Sequence, residues 1–173
     1  MTGAGLRAAL GALLLLAPLQ ERPRGADPAR ETALTTAILV GEQREVTLHY
    51  RTIAWSAESM QRMRRDPAQR DLLNQRFGLV LQSELETPVA LTLGGMKLAA
   101  GKWRIGLFMD EGGAFQFTVL VDGETRRFPI DLSESRQTFP YLAFTLMPAE
   151  EGLFALVLQW GTEYGRVVFE AAR

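Results

Sequence analysis

The sequence contains no cysteine and a single histidine, His49, among its 173 residues. Without thiols there is no disulfide framework, no thiolate zinc or iron–sulfur site and no cysteine nucleophile. One histidine cannot furnish a histidine-rich metal centre, and a serine triad would have to rest on His49 alone. An excess of one charge is missing too, since 19 lysines and arginines stand against 20 aspartates and glutamates. A nucleic-acid partner, which needs a strong basic field, is therefore not expected. The sequence carries no phosphate loop, dinucleotide fingerprint or Gly-x-Ser-x-Gly elbow, so it points to no cofactor. Its one long apolar run, Ala8 to Leu19, has twelve residues. A helix of that length is too short to cross about 30 Å of hydrocarbon.

That run follows Arg7, with no acid before it, and holds four consecutive leucines at Leu13 to Leu16. A basic tip and a short apolar core without a polar face are the build of a secretory signal. Cleavage is expected between Leu19 and Ala26. Residues 1–25 then form the signal peptide and lead-in, and 26–173 a single domain. Removing 1–25 leaves 16 basic and 19 acidic residues, a mildly acidic protein for a periplasmic or extracellular space. No stable membrane span remains after cleavage.

The body of the chain alternates with a period of two. Val46, Leu48 and Tyr50 interleave with Thr47, His49 and Arg51, and Trp103, Ile105, Leu107 and Met109 with Lys102, Arg104 and Gly106. Val89, Leu91 and Leu93 and then Phe115, Phe117, Val119 and Val121 repeat the pattern. Half-buried antiparallel strands show this two-faced alternation. Gly94-Gly95, Glu111-Gly112-Gly113 and Asp122-Gly123 are connectors suited to tight hairpins. Further strands are expected over 127–131, 140–147, 153–160 and 166–170. Ser56 to Arg76 breaks the alternation with residues that favour helix. Asp66-Pro67 reads as an N-cap followed by proline at the first helical position, which predicts helices over 57–65 and 67–76. Met60, Met63, Leu72, Leu73 and Phe77 are the expected packing side. The pattern predicts a mainly β chain, an antiparallel β-sandwich of immunoglobulin-like or jelly-roll character with one helical insert at 56–76.

The stretch from Val89 to Phe108, with Leu98-Ala99-Ala100-Gly101-Lys102-Trp103 at its centre, is followed by a strand rich in Phe, Thr and Val at 115–121. Together with Leu156-Val157-Leu158-Gln159-Trp160 near the end, it resembles an exported bacterial family, domain-of-unknown-function family 2911. The resemblance covers the C-terminal half and implies export and a sandwich, with no established reaction. The family's two N-terminal motifs have no close counterpart here; only Tyr50-Arg51-Thr52-Ile53 stands near the first.

Candidate chemistry is sparse. His49 lies on the polar face of its strand beside Arg51, where it could contact a ligand, though no orienting carboxylate or nucleophile is visible in the sequence. Trp55, at the strand-to-helix junction, is the tryptophan expected to be exposed, and it joins His49 and Arg51 as a candidate ligand contact. Trp103 and Trp160 share parity with core positions and are expected inside. Asp110/Glu111 and Asp122/Glu124 lie at opposite ends of one strand about 20 Å long, too far apart for a carboxylate dyad. Asp122-x-Glu124 lacks the oxygen-rich loop of a calcium site, so no metal is expected. Five arginines in the insert, offset by Glu58, Asp66 and Asp71, read as a solvated helix face or as a dock for an anionic partner. These features favour an exported, non-catalytic module that binds a protein or small ligand in the cell envelope. Its exposed patch is expected where the insert meets the sheet. The alternatives are a carboxylate-based hydrolase and an assembly protein that uses sheet-edge strand addition.

Overall fold

The alternating segments are strands, and they assemble into two antiparallel sheets. The structure, a computed structural model, describes residues 33–40, 44–79, 83–150 and 152–172. The proposed signal peptide and its cleavage site lie outside the described residues. In chain order the elements are β1 (Ala33–Val40), β2 (Arg44–Arg51), α1 (Ala57–Arg65), α2 (Pro67–Leu79), β3 (Ser83–Thr87), β4 (Leu91–Leu93), β5 (Met96–Leu98), β6 (Gly101–Met109), β7 (Phe115–Val121), β8 (Glu124–Pro129), β9 (Asp131–Pro148) and β10 (Leu153–Ala171). One sheet runs β1-β2-β3-β6-β7-β8 and the other β5-β4-β10-β9.

The apolar row of each strand meets the opposite sheet. Tyr50 on β2 packs edge-on against Phe144 on β9, with ring centroids 5.1 Å apart, and Phe117 on β7 lies 5.9 Å from the same ring. Val46, Leu48, Ile105, Leu107, Phe117, Leu156 and Leu158 are buried between them. This is a β-sandwich with a helical insert. Tight hairpins keep successive strands adjacent. Asp122 and Gly123 both adopt positive φ, +53° and +81°, the left-handed pair that matches strand twist in a two-residue turn.

The structure differs from the sequence reading at the C-terminal strands. The polar stretch around Ser133 and Ser135, which lies between the expected strands 127–131 and 140–147, is itself strand, and the expected strands 153–160 and 166–170 are one, β10. The β9–β10 ladder survives because its register shifts on either side of Gly161, which sits at φ +63°. Extra residues at such bulges bend and twist a strand, so pairing continues where the clean alternation is lost. The second helix also runs past Arg76 to Leu79.

After β2 the chain crosses to the second sheet. The Thr52 hydroxyl donates to the Leu142 carbonyl at 2.6 Å, Leu142 N–H donates to the Ile53 carbonyl, and Trp55 N–H donates to the Pro140 carbonyl. These bonds fasten the start of the insert to the edge of β9.

Candidate functional site

The insert is built as the sequence suggested. The Ser56 hydroxyl accepts from Ser59 N–H at the start of α1, and an Asp66 carboxylate oxygen accepts from Ala68 N–H at 2.9 Å at the start of α2. Each cap satisfies a backbone donor that the first turn leaves unpaired. Met60, Leu73 and Phe77 turn inward, and Phe77 reaches the core between Phe115 and Trp160, at centroid distances of 6.4 and 5.8 Å. Asn74 fastens α2 to the end of β6. Its amide accepts from Met109 N–H at 2.8 Å and donates to the Met109 carbonyl at 3.0 Å. These are bonds that β3, ending its pairing at Ile105, does not supply.

Arg64 and Arg70 of the insert take part in this docking. Arg64 lays its stem over Gly113 and pairs with Glu163 at 2.5 Å, and Arg70 donates to the Glu111 carbonyl at 3.2 Å. A groove of about 310 Å³ remains between the helices, lined by Ser59, Arg62, Met63, Gln69, Leu72, Leu73 and Arg76. That volume is at the low end of small-molecule sites, about 300–1,000 Å³. Leu72, expected on the packing side, is instead 53% exposed on this groove. Leu73, about 100° further round the helix, takes the core position instead. The lining therefore joins an apolar floor to two guanidinium groups and contains no carboxylate.

His49 and Arg51 lie elsewhere, on the outward face of the six-stranded sheet. The His49 ring bonds to the Thr35 hydroxyl at 2.9 Å, and across the strands His49 stands opposite Glu84 and Glu84 opposite Arg104. Lys102 joins Glu84 at 2.9 Å and Glu86 at 3.3 Å. Its hydrogen bond holds the Glu84 carboxyl below the usual carboxylate range, and Glu84 and then Glu86 raise the Lys102 ammonium above its ordinary value. A second, open groove of about 550 Å³ borders this ladder, between Glu45, Thr47, Glu86, Pro88 and Lys102. Lys102 answers Glu86 in its lining, so the sheet itself takes up part of the charge there. Among the described residues no group of three or more histidines, aspartates or glutamates is placed to hold a metal ion.

Trp55 is half-buried, with its indole laid on Gly161 of β10. A Cβ at position 161 would stand 1.8 Å from the indole nitrogen. The nitrogens of Trp55 and Trp160 are both enclosed without a hydrogen-bond partner among the described residues. Neither groove above is lined by His49, Arg51 or Trp55. Trp160 is buried as its parity predicts. Trp103 points inward but is only half-buried, because it stands near the open start of β6, where its N–H donates to the Ala99 carbonyl.

The interhelical groove was missed in the sequence because its arginines were read with a solvated helix face while Met63, Leu72 and Leu73 were all assigned to the packing side. No pattern in either helix alone signals it, because the groove is formed by residues of both. No protein-family model, curated protein or solved structure matches the chain.

Proposed function

We propose that this protein is an exported, non-catalytic binding module of the cell envelope, and that its ligand docks in the groove between α1 and α2. The observation that carries the reading is the groove's composition. Met63, Leu72 and Leu73 offer apolar surface, and Arg62 brings positive charge, with no acid in the lining. Such a site favours an anion with an apolar body, for example a carboxylate on a short acyl chain or an apolar side chain beside an acidic one. The signal-like N-terminus and the resemblance to family 2911 support export.

A carboxylate hydrolase fits less well. Such an enzyme needs one carboxyl kept protonated near neutral pH. Within the Glu84–Lys102–Glu86 cluster Glu84 is shifted the opposite way, so that cluster does not supply such an acid.

Calorimetric titration with decanoate and with decanol tests the reading. Decanoate should bind saturably and lose affinity as salt rises, and decanol should bind more weakly. Arg62→Gln and Leu72→Ser should each weaken decanoate binding. Equal affinity for the acid and the alcohol, or no saturable binding of either, refutes the assignment.

A further inference from the structure

Among the described residues four strands end the two sheets, β1 and β8 in one and β5 and β9 in the other. Exposed edges invite pairing with other chains, and proteins blunt them with short length, charge, proline or cover. Three of these edges are blunted. β5 has three residues, and β8 carries Glu124, Arg126, Arg127 and Pro129. The edge of β9 is covered in part by Ile53–Trp55, and its Leu146 N–H donates to the Thr36 hydroxyl at 3.2 Å.

Among the described residues β1 has none of these protections. Its eight residues, Ala-Leu-Thr-Thr-Ala-Ile-Leu-Val, contain no charge, proline or glycine. All of them pair with β2, and among the described residues no backbone bond leaves the other side of the strand. Leu34 and Leu39 are 39% and 61% exposed. The strand is nevertheless fastened on both faces, by Thr36 to β9 on the inward face and by Thr35 to His49 on the outward face. An edge already ordered loses little freedom when it pairs.

The geometry points to a twofold dimer in which β1 pairs antiparallel with β1 of a second copy. Directly opposed residues of an antiparallel pair lie on the same face of the sheet. The inward row of Leu34, Thr36, Ile38 and Val40 would thus meet its own copy, as would the outward row of Ala33, Thr35, Ala37 and Leu39. Both rows are uncharged, so no like charges oppose one another in any such register, and the patch is self-complementary as an isologous contact requires. A charged partner strand would find no counter-charge along β1, so the uncharged copy is the better match. The two six-stranded sheets would join as one, covering both exposed leucines. This dimer involves none of the groove residues and does not depend on the proposed function.

The test is sedimentation equilibrium of the full chain. The wild type should have twice the protomer mass at micromolar concentration. Ala37→Lys, at an exposed position, should weaken association by roughly a hundredfold, the scale of opposed like charges at an interface. Thr125→Lys on the β8 edge should leave the dimer intact. Mixing the Ala37→Lys and Ala37→Glu chains should restore a dimer, which a merely misfolded variant could not do. A monomeric wild type overturns the proposal, including one whose β1 amides are protected from exchange by another part of the same chain. A dimer unaffected by Ala37→Lys overturns it equally. Decanoate binding by the Ala37→Lys monomer reads the groove separately.

Discussion

Replacing Gly161 with alanine isolates the contact that joins the crossover to the second sheet. The backbone there has φ +63°, and the new methyl carbon would lie 1.8, 2.1 and 2.3 Å from three atoms of the Trp55 indole. Holding a non-glycine residue in the left-handed region costs about 1–2 kcal/mol. The overlap cannot be relieved by a small shift, because the obstacle is a rigid ring whose own backbone N–H is bound to Pro140. Trp55 must leave its seat, and losing a packed tryptophan costs about 3–5 kcal/mol, at the low end for a half-buried one. Gly161→Ala should therefore destabilise by about 4 kcal/mol in urea unfolding followed by far-ultraviolet circular dichroism. In a Trp55→Ala background the overlap vanishes, and the same substitution should cost only the backbone part, about 1 kcal/mol. The double-mutant cycle should thus show a coupling of about 3 kcal/mol, far above the few tenths expected of independent sites. A cost below about 1 kcal/mol for Gly161→Ala alone, or equal costs in the two backgrounds, would refute the placement of Trp55.

Other substitutions probe the core, the insert and the charge ladder. Trp160→Ala should cost about 3–5 kcal/mol in urea unfolding, since the side chain is 3% exposed and packs between Phe77 and Phe115. Asn74→Ala removes both bonds to the Met109 backbone and should cost about 1–3 kcal/mol, with faster amide exchange at Met109 as the local readout. Lys102→Met should return the Glu84 carboxyl to an ordinary glutamate value in a carbon-detected NMR titration. Because Glu84 is depressed in the folded state, its contribution is complete above the unfolded value and fades as pH falls through the folded one. The variant should lose that part of the acid dependence, and high salt should shrink the effect in the wild type, since both groups are exposed.

The sandwich was legible because its strands are half-buried. Val46-Leu48-Tyr50 and Phe115-Phe117-Val119 bury alternate residues against the facing sheet, so the period of two survives in the sequence. The two helices were legible from Asp66-Pro67, which sets both a stop and a start. The continuity of β9 and β10 was not, because their pairing around Ser133 and Gly161 depends on bulges, and an inserted residue erases the alternation that reveals a strand. Trp55 was expected to be exposed because a junction residue has no parity to read. What encloses it is a glycine more than a hundred positions away. Similarly, His49 and Arg51 were legible as outward-facing, whereas the opposition of His49 to Glu84 follows from the register of β2 on β3, which one strand cannot announce. The groove needed both helices to be placed before Leu72 and Arg62 could share a surface.

Methyl NMR of the methionines during decanoate titration is the most direct test of binding between the helices. The Met63 methyl, which lines the groove, should shift progressively and saturate, while the methyl of Met109, buried in the sandwich, should stay in place. Saturable binding that leaves Met63 unmoved, or moves Met109 as much, would contradict a ligand seated between α1 and α2.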